Sequence, residues 1–280
     1  MIVEAAPAKI NLALHVIGRR ADGYHLLDSL VAFAEAGDVI TLSDGTGFAV
    51  CGPFADDVPT GGDNLCLRAL RLAGAEARVQ LDKRLPVAAG IGGGSSDAAA
   101  VLRAARRMGQ PVPPDLAALG ADLPVCMAAP GPARMRGIGE QVTPLAGLPA
   151  LHLVLVNPRQ PLATPAVFAA LKSRENAPLP PLPLAPDAGG LTEWLAGCRN
   201  DLQAPAISLA PVIAEVLAAL EAQGARLARM SGSGATCFGL FPTAKAADAA
   251  AQALSVRDWW ALATRTHPSP AQREGRRVQP

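Results

Sequence analysis

Pro86-Val-Ala-Ala-Gly90-Ile-Gly92-Gly93-Gly94-Ser95-Ser96-Asp97-Ala-Ala-Ala100 decides how this chain is read, because a glycine run passes into two serines and then into an alanine-rich stretch reaching Met108. The spacing predicts a helix that opens at Ser95 or Ser96 and stops at Gly109. Glycines without a Cβ let successive backbone N–H groups close around an anion. The unpaired N–H groups and positive dipole end of the helix point at the same place. A glycine pair before a helix can be a plain tight turn; four glycines followed by two serines point to a phosphate cradle. The cradle is not one of the best-known loops, since no Gly-Lys-Ser/Thr follows, the spacing fails G-x-G-x-x-G, and H-R-D and D-F-G segments are absent.

Outward from that loop, Ala77, Val79 and Leu81 alternate with Arg78, Gln80 and Asp82 as a strand, and Val39 to Leu42 reads as another. Between them Asp63 or Asn64 caps a helix through Leu65, Leu67 and Leu70 that ends at Gly74. Residues 8 to 17 read as a strand that runs into the turn signals Gly18 and Asp22-Gly23. Beyond residue 150 the pattern changes. Leu151 to Val156 reads as a strand, Thr164-Pro165 opens a helix, and a proline-rich insert covers Ala177 to Pro186. A helix over Val212 to Ala222, two strands around Ser231 to Gly234, a helix over Ala244 to Leu254 and a strand near Trp259-Trp260 follow. Such mixing predicts an α+β chain of two halves, 1–150 and 151–264, with a disordered tail over 265–280.

Composition narrows the function classes. Half of the residues are apolar, enough for a sizeable core. Lys plus Arg number 25 against 24 Asp plus Glu, so no broad basic field exists for a nucleic acid or an acidic membrane surface, and small-molecule partners are expected. Five cysteines stand among apolar neighbours without a C-x-x-C or a clustered histidine, which predicts buried, reduced thiols. With no basic leader and no apolar run long enough to span a bilayer, neither signal peptide nor anchor is expected, and the expected location is cytoplasmic.

Three further segments could carry chemistry. In Pro7-Ala-Lys9-Ile-Asn11-Leu the two polar residues share one face of the strand. Lys9 is then either a rim residue, which the segment alone favours, or a buried charge with a partner. Tyr24, the single tyrosine, stands beside His25 on a turn and offers a stacking plate with polar edges. Asp122 in Gly120-Ala-Asp-Leu-Pro-Val125 is a cap or turn residue, or the acid-base group that orients an acceptor hydroxyl with Lys9 as its charge partner. Ser231-Gly-Ser-Gly-Ala-Thr236 is a hairpin turn or a second wall to the phosphate site.

Taken together, P-A-K-I-N-L, R-A-D-G-Y-H, G-I-G-G-G-S-S-D-A-A, G-A-D-L-P-V and S-G-S-G-A-T resemble, in order from residue 7 to about 237, the GHMP small-molecule kinases. In that family the phosphate loop reads Pro-x-x-x-Gly-Leu-Gly-Ser-Ser. P-A-K-I-N-L and R-A-D-G-Y-H resemble the branch that phosphorylates a cytidine-diphosphate-linked methylerythritol on the methylerythritol phosphate route to isoprenoid precursors. The resemblance implies two α/β sandwich domains with the active site between them. The N-terminal one is like domain 2 of ribosomal protein S5, with a left-handed crossover, and the C-terminal one is ferredoxin-like. It implies ATP and Mg²⁺ as cofactors, with the metal ligands unknown, and a monomer or weak homodimer. Lys9 and Asp122 match the catalytic pair. Pro86, Val87, Ala88, Ala89, Gly90, Ile91, Gly92, Gly93, Gly94, Ser95 and Ser96 match the nucleotide loop, and Asn64 and Lys83 the adenine side. Asn11, Tyr24 and His25 match the cytidyl-substrate side, and Thr164 and Phe168 match it more loosely. Residues 172 to 199 match no motif. The alternatives are a homoserine- or mevalonate-type relative and a catalytically silent ATP-binding module.

Overall fold

The computed structural model describes residues 1–112, 116 and 119–269. Two strands, β1 (Ile2–Arg19) and β2 (His25–Ser43), form one long antiparallel hairpin around the R-A-D-G-Y-H turn. β1 is longer than 8–17. Its register slips between Pro7 and Lys9 and again between Asn11 and Ala13, and such bulges re-aim side chains and free backbone groups from the ladder. The Lys9 N–H therefore donates to the Ile91 carbonyl at 2.9 Å, which ties the strand to the glycine loop.

β2 carries β4 (Arg78–Asp82) and β5 (Ala133–Gly137) at successive stretches of its length. β3 (Phe48–Cys51) lies parallel to β4, the two being joined through α1 (Leu65–Leu72), and β6 (Gln141–Pro144) closes the far side. Asn64 caps α1 by accepting from the Cys66 N–H at 2.8 Å. α2 (Gly93–Arg107) buries Ala98, Ala99, Ala100, Val101, Leu102, Ala104 and Ala105, small side chains that let it lie close against β1 and β2. α2 opens two residues earlier than the serines because Gly92, at φ 65°, acts as its N-cap, and the Ser96 N–H makes the first helical bond to the Gly92 carbonyl at 2.8 Å.

The second sheet holds β7 (His152–Asn157), β8 (Leu227–Met230), β9 (Cys237–Phe241) and β10 (Trp260–Arg265) in the order β10-β7-β9-β8, antiparallel throughout. That order, with helices crossing between strands, is the ferredoxin-like arrangement. Its helices are α4 (Thr164–Ala169), α5 (Ala188–Ala196), α6 (Gln203–Leu209), α7 (Val212–Ala222) and α8 (Ala244–Leu254), while the short α3 (Leu123–Met127) belongs to the first half. Among the described residues no single helix is long and apolar enough to cross a membrane.

Two expectations change. The stretch after residue 264 does not leave the body at 265: the His267 N–H donates to the Phe33 carbonyl at 2.8 Å, and Thr266 and Ser269 are buried. Residues 270–280 lie outside the described residues. Four of the five cysteines are buried thiols as expected, but Cys51 is exposed at the end of β3, an outer strand.

Candidate active site

The proline-rich insert and its neighbours, which matched no motif, are strapped to the β1–β2 hairpin by buried polar groups. Asp28 on β2 accepts a fork from Arg134 at 2.7 and 2.6 Å and the Leu179 N–H at 3.0 Å. Burial raises the Asp28 carboxyl, yet the guanidinium fork and that N–H outweigh it and hold the group below the usual carboxylate range. His15 is 2.9 Å from the Ala177 carbonyl through Nδ1 and accepts the Arg199 N–H at 3.2 Å through Nε2. It is thus a neutral Nδ1–H tautomer, and burial lowers its pKa in keeping with that.

Beside these straps one loop of the second half, Ser231 to Thr236, lies against the first. The Asn11 N–H donates to Ser231 Oγ at 3.1 Å, Ser231 Oγ donates to the Gly90 carbonyl at 3.3 Å, and the Thr236 N–H donates to the Ala89 carbonyl at 3.1 Å. The approach leaves no room for side chains: a Cβ on Gly90, at φ 73°, would sit 2.3 Å from the Gly234 carbonyl oxygen. S-G-S-G-A-T is therefore both a hairpin turn and a wall against the glycine loop.

Between the halves opens a cleft of about 1070 Å³. It is lined by Val87, Ala88, Ala89, Gly90, Gly92, Gly93, Gly94 and Ser95 of the glycine loop, by Arg19, Tyr24, His25, Thr164 and Phe168, and by Lys9, Asn11 and Asp122. Lys9 is buried, not on a rim, and its Nζ sits 2.7 Å from Asp122 Oδ2. Asp122 precedes α3 as its N-cap, but its side chain makes no cap bond, so the carboxylate is free to face Lys9. Asn11 donates from Nδ2 to Ser29 Oγ at 2.8 Å and leaves its buried Oδ1 without a partner among the described residues. The His25 ring stacks on Phe168 with centroids 4.9 Å apart, and its buried Nε2 is likewise without a partner. Burial, with Arg19 and Arg174 nearby, lowers the His25 pKa, so the ring is neutral. Tyr24 stands more than half exposed at the mouth, and Thr164 Oγ1 is 2.8 Å from Ser233 Oγ.

Five expected nucleotide-side residues do not line the cleft. Pro86, Ile91 and Ser96 are buried behind it, with Ser96 Oγ donating to the Pro7 carbonyl at 2.8 Å. Asn64 spends its side chain on the α1 cap and on the Pro59 carbonyl. Lys83 is buried in ion pairs with Asp38 at 2.6 Å and Asp97 at 2.8 Å. Asp38 and Asp97 are not legible as site residues in the sequence because nothing local marks a carboxylate as buried, although Asp97 stands amid the alanines of a core helix.

Comparison with known proteins fits this architecture. Residues 64–133 match the family described as GHMP kinases N terminal domain, and residues 184–257 match GHMP kinases C terminal. The chain is 58% identical over 270 residues to the 4-diphosphocytidyl-2-C-methyl-D-erythritol kinase of Paracoccus denitrificans, covering 95% of this chain and 97% of that protein. The chain belongs to the 4-diphosphocytidyl-2-C-methyl-D-erythritol kinases. Its counterpart from Dinoroseobacter shibae is 55% identical over 92% of this kinase and 93% of its own length. A crystal structure of a 4-(cytidine 5'-diphospho)-2C-methyl-D-erythritol kinase superposes with a TM-score of 0.79 at 36% identity, covering 96% of this chain and all of that one. The homoserine kinase from Cytophaga hutchinsonii, at 18% identity and a TM-score of 0.59, shares the fold.

Proposed function

We propose that this kinase moves the γ-phosphoryl group of ATP to the 2-hydroxyl of 4-diphosphocytidyl-2-C-methyl-D-erythritol, giving ADP and the 2-phosphate. The observation that carries the reading is the 2.7 Å pair of Lys9 Nζ and Asp122 Oδ2 on the wall of a cleft that is lined by both the glycine loop and the stacked His25 and Phe168 rings. Phosphoryl transfer asks for positioning and charge stabilisation more than for covalent chemistry. The N–H groups of residues 92 to 95 and the α2 dipole hold the β- and γ-phosphates. Asp122 accepts the hydrogen bond, and then the proton, of the acceptor hydroxyl. Lys9 keeps Asp122 ionised and draws charge from the transferring group.

Among the described residues no three His, Cys, Asp or Glu side chains gather as a metal site. Mg²⁺ commonly keeps several waters and binds largely through the substrate's own phosphates, so the ion would come in with ATP and would ask little of the protein's own side chains. When bound, the ion neutralises phosphate charge. At the acceptor end Tyr24 and the His25–Phe168 stack offer flat faces to a pyrimidine, and His25 Nε2 and Asn11 Oδ1 offer unspent polar atoms to the acceptor. The division into 1–150 and 151–264, a cytoplasmic location and a monomer or weak homodimer complete the proposal.

Coupled ADP release, with ATP and a panel of acceptor alcohols, tests the reading. Turnover is expected with the cytidine-diphosphate-linked methylerythritol and not with homoserine or mevalonate. ATP binding without turnover on any of them would favour a silent nucleotide-binding module instead.

A further inference from the structure

Directly beneath the glycine loop lies a group of charges that phosphoryl transfer does not use. Asp38 on β2, Lys83 just after β4 and Asp97 in the second turn of α2 are all buried, and Lys83 Nζ bridges the two carboxylates at 2.6 and 2.8 Å. A single cation faces two carboxylates, so the cluster carries an excess negative charge whenever both are ionised. The two carboxylates are not equivalent. Asp38 is saturated: Oδ1 accepts the Arg84 and Leu85 N–H groups at 2.6 and 2.8 Å, and Oδ2 accepts from Lys83. Asp97 accepts from Lys83 on Oδ2 and has the Asp38 carboxylate as its neighbour, which favours a proton on Asp97, and its buried Oδ1 has no partner among the described residues. A carboxylate oxygen left dry and unpaired is where a proton is cheapest to add.

The cluster is one glycine thick from the cleft. A Cβ on Gly93 would lie 3.2 Å from Lys83 Nζ and 4.0 Å from Asp38 Oδ2, and Gly93 itself lines the cleft. Any anion cradled by the loop therefore sits above this buried charge, inside protein, where screening by salt is weak. We infer that Asp97 is a proton-coupled positioning residue for the nucleotide: it takes a proton from solvent when phosphates bind over the loop and returns it when they leave. The ionised cluster repels the phosphates; the protonated one is neutral and leaves the α2 dipole unopposed.

The groups that face Asp97 are Lys83, Asp38, the Cys66 thiol from α1 and, more remotely, the Cys126 thiol from α3. Burial raises both thiols far above their usual range, so neither competes for the charge. Burial also pushes Asp97 up, to about 7, against the pull of Lys83 and with the help of Asp38.

The inference rests on the reading that ATP binds at this loop, and titration calorimetry separates the two. Wild-type protein is titrated with magnesium-saturated ATP in two buffers of different ionisation enthalpy, and again across a range of pH. Net proton uptake is expected, with Kd rising toward the alkaline side by up to about tenfold per pH unit. Asp97→Asn keeps the shape and freezes the neutral cluster, so its ATP binding should be buffer-independent and flat with pH, at the tight end of the wild-type range. ATP binding with no uptake in the wild type, or the same uptake in Asp97→Asn, overturns the inference alone. No ATP binding by folded wild type overturns the underlying reading. Should Asp97→Asn fail to fold by circular dichroism, the wild-type buffer comparison still decides.

Discussion

Lys9 Nζ and Asp122 Oδ2 meet at 2.7 Å although Lys9 comes from a bulged stretch of β1 and Asp122 from the N-cap of α3. Lys9 is nearly dry, with 5% of its side chain exposed, while Asp122 keeps 37% and faces the cleft. One partner is thus fixed and the other is available to a substrate.

That asymmetry predicts the outcome of Asp122→Asn. Turnover should fall by about 10²- to 10⁴-fold, the range of a positioned acid or base, with little change in ATP affinity. Steady-state rates and an ATP titration on the same preparation check it. Near wild-type turnover would reduce Asp122 to the residue that precedes α3.

Gly90→Ala forces a Cβ to within 2.3 Å of the Gly234 carbonyl at a φ of 73°. Because both sides of that contact are backbone, one loop must move away from the other. The KM for ATP should rise by at least about tenfold, and strain at such a φ adds about 1 kcal/mol of lost stability. Unchanged ATP kinetics with an unchanged melting temperature would mean that the two loops do not need this approach.

Tyr24→Ala should weaken the nucleotide-linked acceptor by about 1 to 3 kcal/mol, the worth of one base–aromatic contact. Tyr24→Phe keeps the ring and should cost much less. A pair of KM values for each variant is the measurement. Equal losses for ATP and acceptor, or none for either, would return Tyr24 to the role of an exposed rim aromatic.

Asp28→Asn tests the strap on the unaligned segment. The folded carboxyl is held below its ordinary value, so the unfolded chain takes up the proton first. The stabilisation is therefore present above the usual carboxylate range and is lost as pH falls through it. Removing the charge leaves Arg134 without its buried partner and should cost about 3–5 kcal/mol near neutrality. It should also flatten the loss of stability between about pH 5 and about pH 2. Urea midpoints at both ends of that range check it; a variant as acid-sensitive as wild type would rule out this strap as the cause.

The helix after the glycine run, the helices at 212–222 and 244–254 and the turn at Tyr24 were legible in sequence, because capping, apolar period and turn chemistry act over a few neighbouring residues. The pairing of Lys9 with Asp122 could be named only as one of two options, since a lysine among apolar neighbours looks the same on a rim and in a wall. Burial decided it, and burial is a property of the packed halves. Lys83 makes the same point in reverse: the family resemblance implied the adenine side of the cleft for it, but its ion pairs with Asp38 and Asp97 hold it inside. Residues 172–199 carried no motif because their hydrogen bonds run to β1 and β2, some 150 or more positions away, through Asp28, His15 and Val16. Local chemistry set where elements begin and end; which charges are dry, and which face the cleft, depended on contacts that exist only once the two sheets have closed on one another.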